Sequence, residues 1–441
     1  MTSTGLTPLS DSAGAGNTWP LVVIGAGAAG LLSAIFAARA GAQVLLLETR
    51  SRPGAKIRVS GGGRCNVLPS RADLEHFSSG GSMKAVRNVL GSWPLEEVRE
   101  FFAVDLGIAL KVEPNGKVFP QSDDAREVVD ALLAECARVG VQLQGDFRVT
   151  GLRREDEAFT VVGERAVVRG RRVVLATGGL SLPRTGSDGG GLRLAATAGH
   201  ALAADHPALV PLETEDDRLQ ALAGVSLPVE IQVCRGNKVI ERCAGDFLFT
   251  HRGFSGPVAL DVSRHVTEPR TEGAAAPGGG GPPRDDAPTL RVAWRGPDAP
   301  DWDCLLRQGG ARHVSTVLRD ELPRRLVDVL LERVGLCAEE KLSELSRDRR
   351  RQLVEVLTEF PLPVSGNEGY AKAEVTAGGV PLAEVHLKTL ESRLIPGLHF
   401  AGEILDVIGH IGGYNFLWAW VTGRKAGEAA ALPGPPVESD C

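Results

Sequence analysis

The stretch Leu21-Val22-Val23-Ile24-Gly25-Ala26-Gly27-Ala28-Ala29-Gly30-Leu31 decides the fold. An apolar run, Leu21 to Ile24, leads into a Gly-x-Gly-x-x-Gly turn, and a helical stretch runs on from Leu31 to Ala40. Strand, tight turn and helix are the parts that hold a dinucleotide pyrophosphate. Gly25 takes backbone angles closed to other residues, and Gly27 has no side chain to keep phosphate oxygens off the backbone. Gly30 lets helix and strand approach, and the helix N-terminus turns free N–H groups toward the phosphates. Alone, the motif is weak in a chain with 54 glycines. Here a second strand, Gln43 to Leu47, ends in Glu48. A carboxylate about 20 residues past the glycines is where a ribose hydroxyl needs an acceptor.

The 441 residues are enough for two or three domains at roughly 150 residues each. A net charge of -6 gives no overall electrostatic footprint for nucleic acid. The seven cysteines form no CxxC pair and no zinc spacing with histidine, so they read as reduced thiols and no metal site is expected. Met1 to Asn17 is polar, without a basic leader or apolar signal core, and no uncharged run is long enough to span a membrane. The expectation is a cytoplasmic protein with a small-molecule substrate, no nucleic-acid partner and no membrane. The oligomeric state is not legible.

Texture along the chain divides it. Residues 1–18 read as a disordered tail, 19–208 as the first part of a dinucleotide-binding α/β domain, and 209–302 as an inserted β domain. Within the insertion, 271–288 is dense in Gly, Pro and Ala and reads as a flexible loop. Residues 303–365 are charged and helical, 366–432 return to strands and a final helix, and 433–441 form a tail. In the insertion, Val225 to Val233, Lys238 to Arg242 and Asp246 to Thr250 read as separate strands.

Three further motifs carry chemistry. Gly61-Gly62-Gly63-Arg64-Cys65-Asn66 lets backbone lie flat against a planar ligand, with Arg64 and Asn66 offering hydrogen bonds, and a plain surface loop is the alternative. Ala176-Thr177-Gly178-Gly179 ends an apolar strand, as a turn at the carboxyl edge of a buried parallel sheet does. Phe400-Ala401-Gly402-Glu403 precedes Gly412-Gly413-Tyr414-Asn415, which opens the helix Phe416 to Ala426.

Together with Lys56, Pro183, Thr185-Gly186-Ser187, Val375-Thr376-Ala377-Gly378-Gly379-Val380 and Phe249-Thr250-His251, these motifs resemble one flavoprotein family. It is the BaiN-type NAD(P)/FAD-dependent oxidoreductases, whose members include a bile-acid 3-dehydro-Δ4,6-reductase and an aminoacetone oxidase. The resemblance, spread over about residues 20 to 430, implies a Rossmann-like FAD domain with a β-barrel-like insertion and a helical part. It implies that Gly25, Gly27, Ala28, Ala29, Gly30, Glu48, Thr49 and Arg50 hold the ADP half. Lys56, Gly63, Arg64, Asn66, Thr177, Gly178, Gly179, Gly402, Glu403, Gly412, Gly413, Tyr414 and Asn415 would lie along the pyrophosphate and flavin. Val149 would pass the adenine. His410 and Leu417 depart from the family pattern close to the flavin.

FAD would carry the hydride chemistry. No second dinucleotide fingerprint occurs between residues 205 and 365. Either NAD(P)H docks transiently as electron donor, or electrons come from the substrate itself. Reduction of an activated double bond is therefore one reading, oxidation of a small amine by oxygen a second, and a flavin-binding RNA-acting protein a third. His410 and Arg64 are the catalytic candidates, an imidazole titrating near neutrality and a cation for the reduced ring. His251 and Cys65 read as structural. His76, His200, His206, His265, His313, His386 and His399 suggest no shared site.

Overall fold

The computed structural model describes residues 18–269, 287–308 and 310–432. The expected tails and most of the 271–288 loop lie outside these residues. Thr18 already belongs to the first strand and Pro288 to another.

The chain forms two compact units. The first contains the described residues up to Asp205 and from Val375 onward. Its parallel sheet places β3 (Gln142–Gln144), β2 (Val44–Leu47), β1 (Thr18–Ile24), β6 (Val167–Leu175) and β7 (Leu398–Phe400) side by side. Leu21 to Val23, Leu45 to Leu47, Val173 to Leu175 and Phe400 are fully buried, which is why these strands read as continuous apolar runs instead of alternating. From β1 the chain turns through α1 (Ala28–Arg39) to β2, while β6 lies on the other side of β1. Such a reversal opens a crevice at the carboxyl edge, the usual ligand position of an open α/β sheet. Before β6, β4 (Val149–Glu155) and β5 (Ala158–Gly163) join it as an antiparallel three-stranded meander.

The helix α1 is apolar on every side because it is covered on every side. Its outer cover is the last helix of the chain, Tyr414–Ala431. Two glycines of that helix make the approach possible. A Cβ on Gly423 would stand 2.5 Å from Ala29 O, and one on Gly427 would stand 2.2 Å from Ser33 O. The Ser33 hydroxyl completes the contact at 3.0 Å from Gly423 O. The C-terminal helix is thereby locked onto the helix that begins at the Gly-rich turn.

The second unit, His206–Glu374, is built on a seven-stranded sheet with its own core. Phe247, Phe249, Phe254, Trp294 and Phe360 pack there without exposure. The helical stretch is part of the same core: Leu326, Leu330 and Leu353 bury against it. Lys238–Phe249 is one strand, not the two short ones read from sequence. Pairing of Ile231, Glu230 and Val229 with Cys243, Ala244 and Gly245 carries it through the weakly patterned middle.

Candidate active site

The first element of the site is the turn after β1. Gly25 has φ +100°, and a Cβ there would meet Ala176 O at 2.5 Å. A Cβ on Gly30 would collide with Gly25 O at 1.7 Å, whereas one on Gly27 meets nothing within 4 Å. Two of the glycines therefore serve close packing and the third faces open space. Leu31 is the first residue of the helix to find an intrahelical acceptor, Gly27 O at 3.0 Å. Gly27 is the N-cap without a side-chain bond, and no acidic residue stands in the first turn. The leading N–H groups of Gly27, Ala28, Ala29 and Gly30 thus form an uncapped positive end beside a clear space, which fits a pyrophosphate.

Glu48 braces this turn. Its Oε2 accepts from Ala26 N at 2.8 Å and its Oε1 from Arg50 N at 2.9 Å. Burial pushes the Glu48 carboxyl above its ordinary pKa, and N–H donors from Arg50, Ala26 and Thr49 pull the other way. The Arg50 guanidinium donates to Arg184 O. Val149 opens β4 opposite Gly163.

A second cluster joins four segments at the carboxyl edge. Lys56, in α2 (Ala55–Val59), places Nζ 2.6 Å from Ser181 Oγ and 2.7 Å from Glu403 Oε2. Ser181 Oγ donates to Glu403 Oε1 at 2.8 Å, and the same oxygen accepts from Thr376 N at 3.0 Å. Thr376 Oγ1 in turn accepts from Leu180 N and Ser181 N at 2.7 and 3.0 Å. Lys56, Gly178, Gly179 and Glu403 are thus brought together. Ser181 and Thr376, absent from the sequence candidates, are the pieces that bind them. The hydroxyls of Thr177 and Ser187 nearby are buried without a partner.

The third element is the turn before the C-terminal helix. Asn415 clamps Gly409 from both sides, accepting from its N–H and donating to its carbonyl, each at 2.8 Å. With its amide oriented to suit its neighbours, Asn66 donates to Val118 O and Leu68 O and accepts from Gly413 N at 3.0 Å. Gly413 has φ +95°, and its Cα passes so near Leu68 that a Cβ would stand 2.4 Å from that backbone. Gly402 presses on α1, where a Cβ would be 2.7 Å from Ala29 Cβ. The asparagines and these glycines hold the backbone of the turn in place.

The catalytic candidates are placed differently from one another. Arg64 stacks over the Phe119 ring at 4.0 Å and pairs with Glu113 at 2.7 Å and Asp123 at 3.4 Å, so its charge is shared. Gly61, Gly62 and Gly63 all have positive φ. Cys65 is fully buried, and burial pushes its thiol up to about 12, as suits an inert cysteine. The backbone N–H of His410 donates to His76 O at 2.8 Å. The His76 ring lies 5.3 Å from that of His410 and stacks on Tyr414 at 4.7 Å. Sequence reading saw no shared site for His76; the pairing of Phe77–Ser78 with Ile408–Gly409 supplies it across more than three hundred residues. Asp73 and Glu75 set exposed carboxylates within 4.8 Å of the same histidine, ordinary surface chemistry.

His200 also has partners that its sequence context hides. It bridges Glu384 at 3.0 Å and Ser392 Oγ at 2.9 Å in the buried interior. Ser392 Oγ already accepts from Leu394 N and Ile395 N, so this Ser-His-Glu chain is a structural tie and no nucleophile. His251 belongs to the second unit.

Residues 20–429 match a family model described as HI0933-like protein Rossmann domain. The chain is 34% identical over 420 residues to the 3-dehydro-bile acid delta(4,6)-reductase of Clostridium scindens, covering 93% of this chain and 98% of that protein. It is 32% identical over 410 residues to the ribosomal RNA dihydrouridine synthase of Escherichia coli, covering 90% and 94%. Among solved structures, a 3-ketosteroid-delta4-(5alpha)-dehydrogenase from Rhodococcus jostii RHA1 is similar over 97% of this chain and 100% of its own, with 18% identity and a TM-score of 0.48. The family match and the reductase relative, both running along nearly the whole chain, make it an FAD-dependent oxidoreductase. The chain belongs to the HI0933-like flavoprotein family. No described helix is long and apolar enough to cross a membrane.

Proposed function

We propose that this flavoprotein reduces a carbon–carbon double bond conjugated to a carbonyl, drawing electrons from NAD(P)H. The observation that carries the reading is the kinship with a delta(4,6)-reductase along nearly the whole of both chains. The name dihydrouridine synthase points the same way, because the ring double bond of uracil is also conjugated to a carbonyl. Two relatives with unlike substrates thus share one bond type, which favours reduction over amine oxidation. FAD supplies hydride transfer through N5 when bound.

In this reading Gly25, Gly27, Ala28, Ala29 and Gly30 receive the pyrophosphate, and Glu48, Thr49 and Arg50 the ribose end, with Val149 beside the adenine. Lys56, Thr177, Gly178, Gly179, Gly402 and Glu403 line the path to the ring. Gly412, Gly413, Tyr414 and Asn415 meet its far end, with Gly63 and Asn66 below. His410 moves the proton; Arg64, held by two carboxylates, shapes the turn. The unit up to Asp205 and from Val375 forms the cofactor part, with His206–Glu374 as the insertion.

A small enone is the first substrate class. A uridine within RNA is the second reading, favoured by the named relative in Escherichia coli. Anaerobic NADPH should bleach the flavin rapidly, and 2-cyclohexen-1-one or uridine-containing RNA should restore its colour. A flavin untouched by NADPH and NADH but bleached by aminoacetone would replace the reductase reading with an oxidase.

A further inference from the structure

The meander β4–β5–β6 is unusually basic for this chain. Between Arg148 and Arg172 stand seven arginines and four carboxylates, in a protein whose net charge is -6. Alternation along the strands sorts the arginines by face. On one side every guanidinium is used internally: Arg154 donates to Pro396 O at 2.6 Å, and Arg172 to Ala430 O at 3.1 Å. Arg148, at the edge, pairs with Asp188.

The other side differs. Arg153 and Arg169 both lie opposite Thr160, one on each flanking strand, and Arg171 follows two residues along β6 on the same side. Two strand spacings put Arg153 and Arg169 roughly 10 Å apart, and Arg171 stands about 7 Å beyond Arg169. All three are exposed, and none forms an ion pair or side-chain hydrogen bond among the described residues. Val167, 46% exposed, sits in the same row. Glu155, on the same side of β4 as Arg153, accepts from the Thr160 hydroxyl at 2.8 Å. Elsewhere this acidic chain pairs many of its exposed arginines, as with Arg312 and Asp320 or Arg242 and Glu230.

We propose that this face docks the phosphate backbone of a structured RNA. Three guanidiniums without ion pairs on one face of a sheet match phosphates, each of which takes a guanidinium through two hydrogen bonds. Folded RNA is held mainly through backbone and shape, which needs no base-reading groups on this surface. The proposal rests on the RNA reading above. The face lies at the amino-terminal half of β6, away from the carboxyl edge, so it grips substrate RNA at a distance from the reacting base.

The test is binding of protein-free ribosomal RNA to the FAD-loaded protein, followed over a salt series. The triple variant R153Q/R169Q/R171Q is compared with R324Q/R347Q/R351Q, which removes the same charge from exposed, unpaired arginines of the second unit. The first triple should bind at least about tenfold more weakly, with a salt slope smaller by about 2 to 3, and keep its flavin spectrum and melting temperature. The second should bind like wild type. Equal loss in both triples, or none in the first, overturns the docking face and leaves the RNA reading standing. Wild type that fails to bind RNA at low salt, or binds only anionic phosphatidylglycerol vesicles, overturns both and leaves enone reduction untouched.

Discussion

The ammonium of Lys56 stands 2.7 Å from the carboxylate of Glu403, although 347 residues separate them in the chain. With Ser181 and Thr376 the pair ties the ends of β6 and β7 to α2 around the proposed cofactor path. Neither side chain is more than a quarter exposed, so removing one partner strands the other in a poorly hydrated place. Lys56→Met or Glu403→Gln should weaken FAD retention by roughly tenfold, about 1.4 kcal/mol. Titration of apoprotein with FAD measures it. The double variant should lose less than the sum of the two, because it leaves no lone charge.

Gly27 and Gly30 should fail in different ways. A Cβ on Gly27 meets nothing within 4 Å, so Gly27→Asp should fold with a melting temperature near wild type. Its carboxylate would occupy and repel the phosphate position, and the protein should be colourless. Gly30→Ala drives a methyl to 1.7 Å from Gly25 O, so it should destabilise the fold itself. Flavin absorbance and thermal melting, taken together, separate the two. Full flavin occupancy in Gly27→Asp would contradict the pyrophosphate assignment.

The contrast between these glycines marks the limit of sequence reading. The β1–α1–β2 unit was legible because its apolar runs, turn and carboxylate are local. Gly423 and Gly427 were not legible as a packing surface, since their meaning depends on α1, nearly four hundred residues earlier. Ser181 and Thr376 look like ordinary loop and strand hydroxyls until Glu403 is beside them. His76 and His410 meet only through a two-residue strand pairing that no periodicity announces. Long-range polar contacts are the part of a site that local pattern cannot supply.

Glu241 predicts an acid limb in the stability of the second unit. Burial alone would raise its pKa, but His265 at 2.5 Å and Arg264 at 2.6 Å outweigh that and hold the carboxyl at about 2. A carboxyl whose pKa is 4.5 when unfolded and about 2 when folded stabilises the fold above the unfolded value. That stability should disappear as pH falls from 4.5 to about 2. After allowance for solvent at this partly exposed side chain it amounts to about 1–2 kcal/mol. Denaturant melts across that range should show the limb in wild type and lose it in Glu241→Gln.

His410 separates scaffold from chemistry. Its backbone N–H donates to His76 O at 2.8 Å, a bond that His410→Ala keeps, so the turn and the flavin should stay in place. If the imidazole moves the proton in the proposed reduction, oxidation of photoreduced flavin by 2-cyclohexen-1-one should slow about 100-fold. His76 makes a different contribution, a ring stacked 4.7 Å from that of Tyr414. His76→Phe keeps an aromatic surface there and should retain most of the rate, whereas His76→Ala should lose more by freeing Tyr414. Stopped-flow flavin absorbance reads both rates in single turnover. An unchanged rate in His410→Ala, with flavin fully bound, would return the proton role to another group and leave His410 as part of the turn.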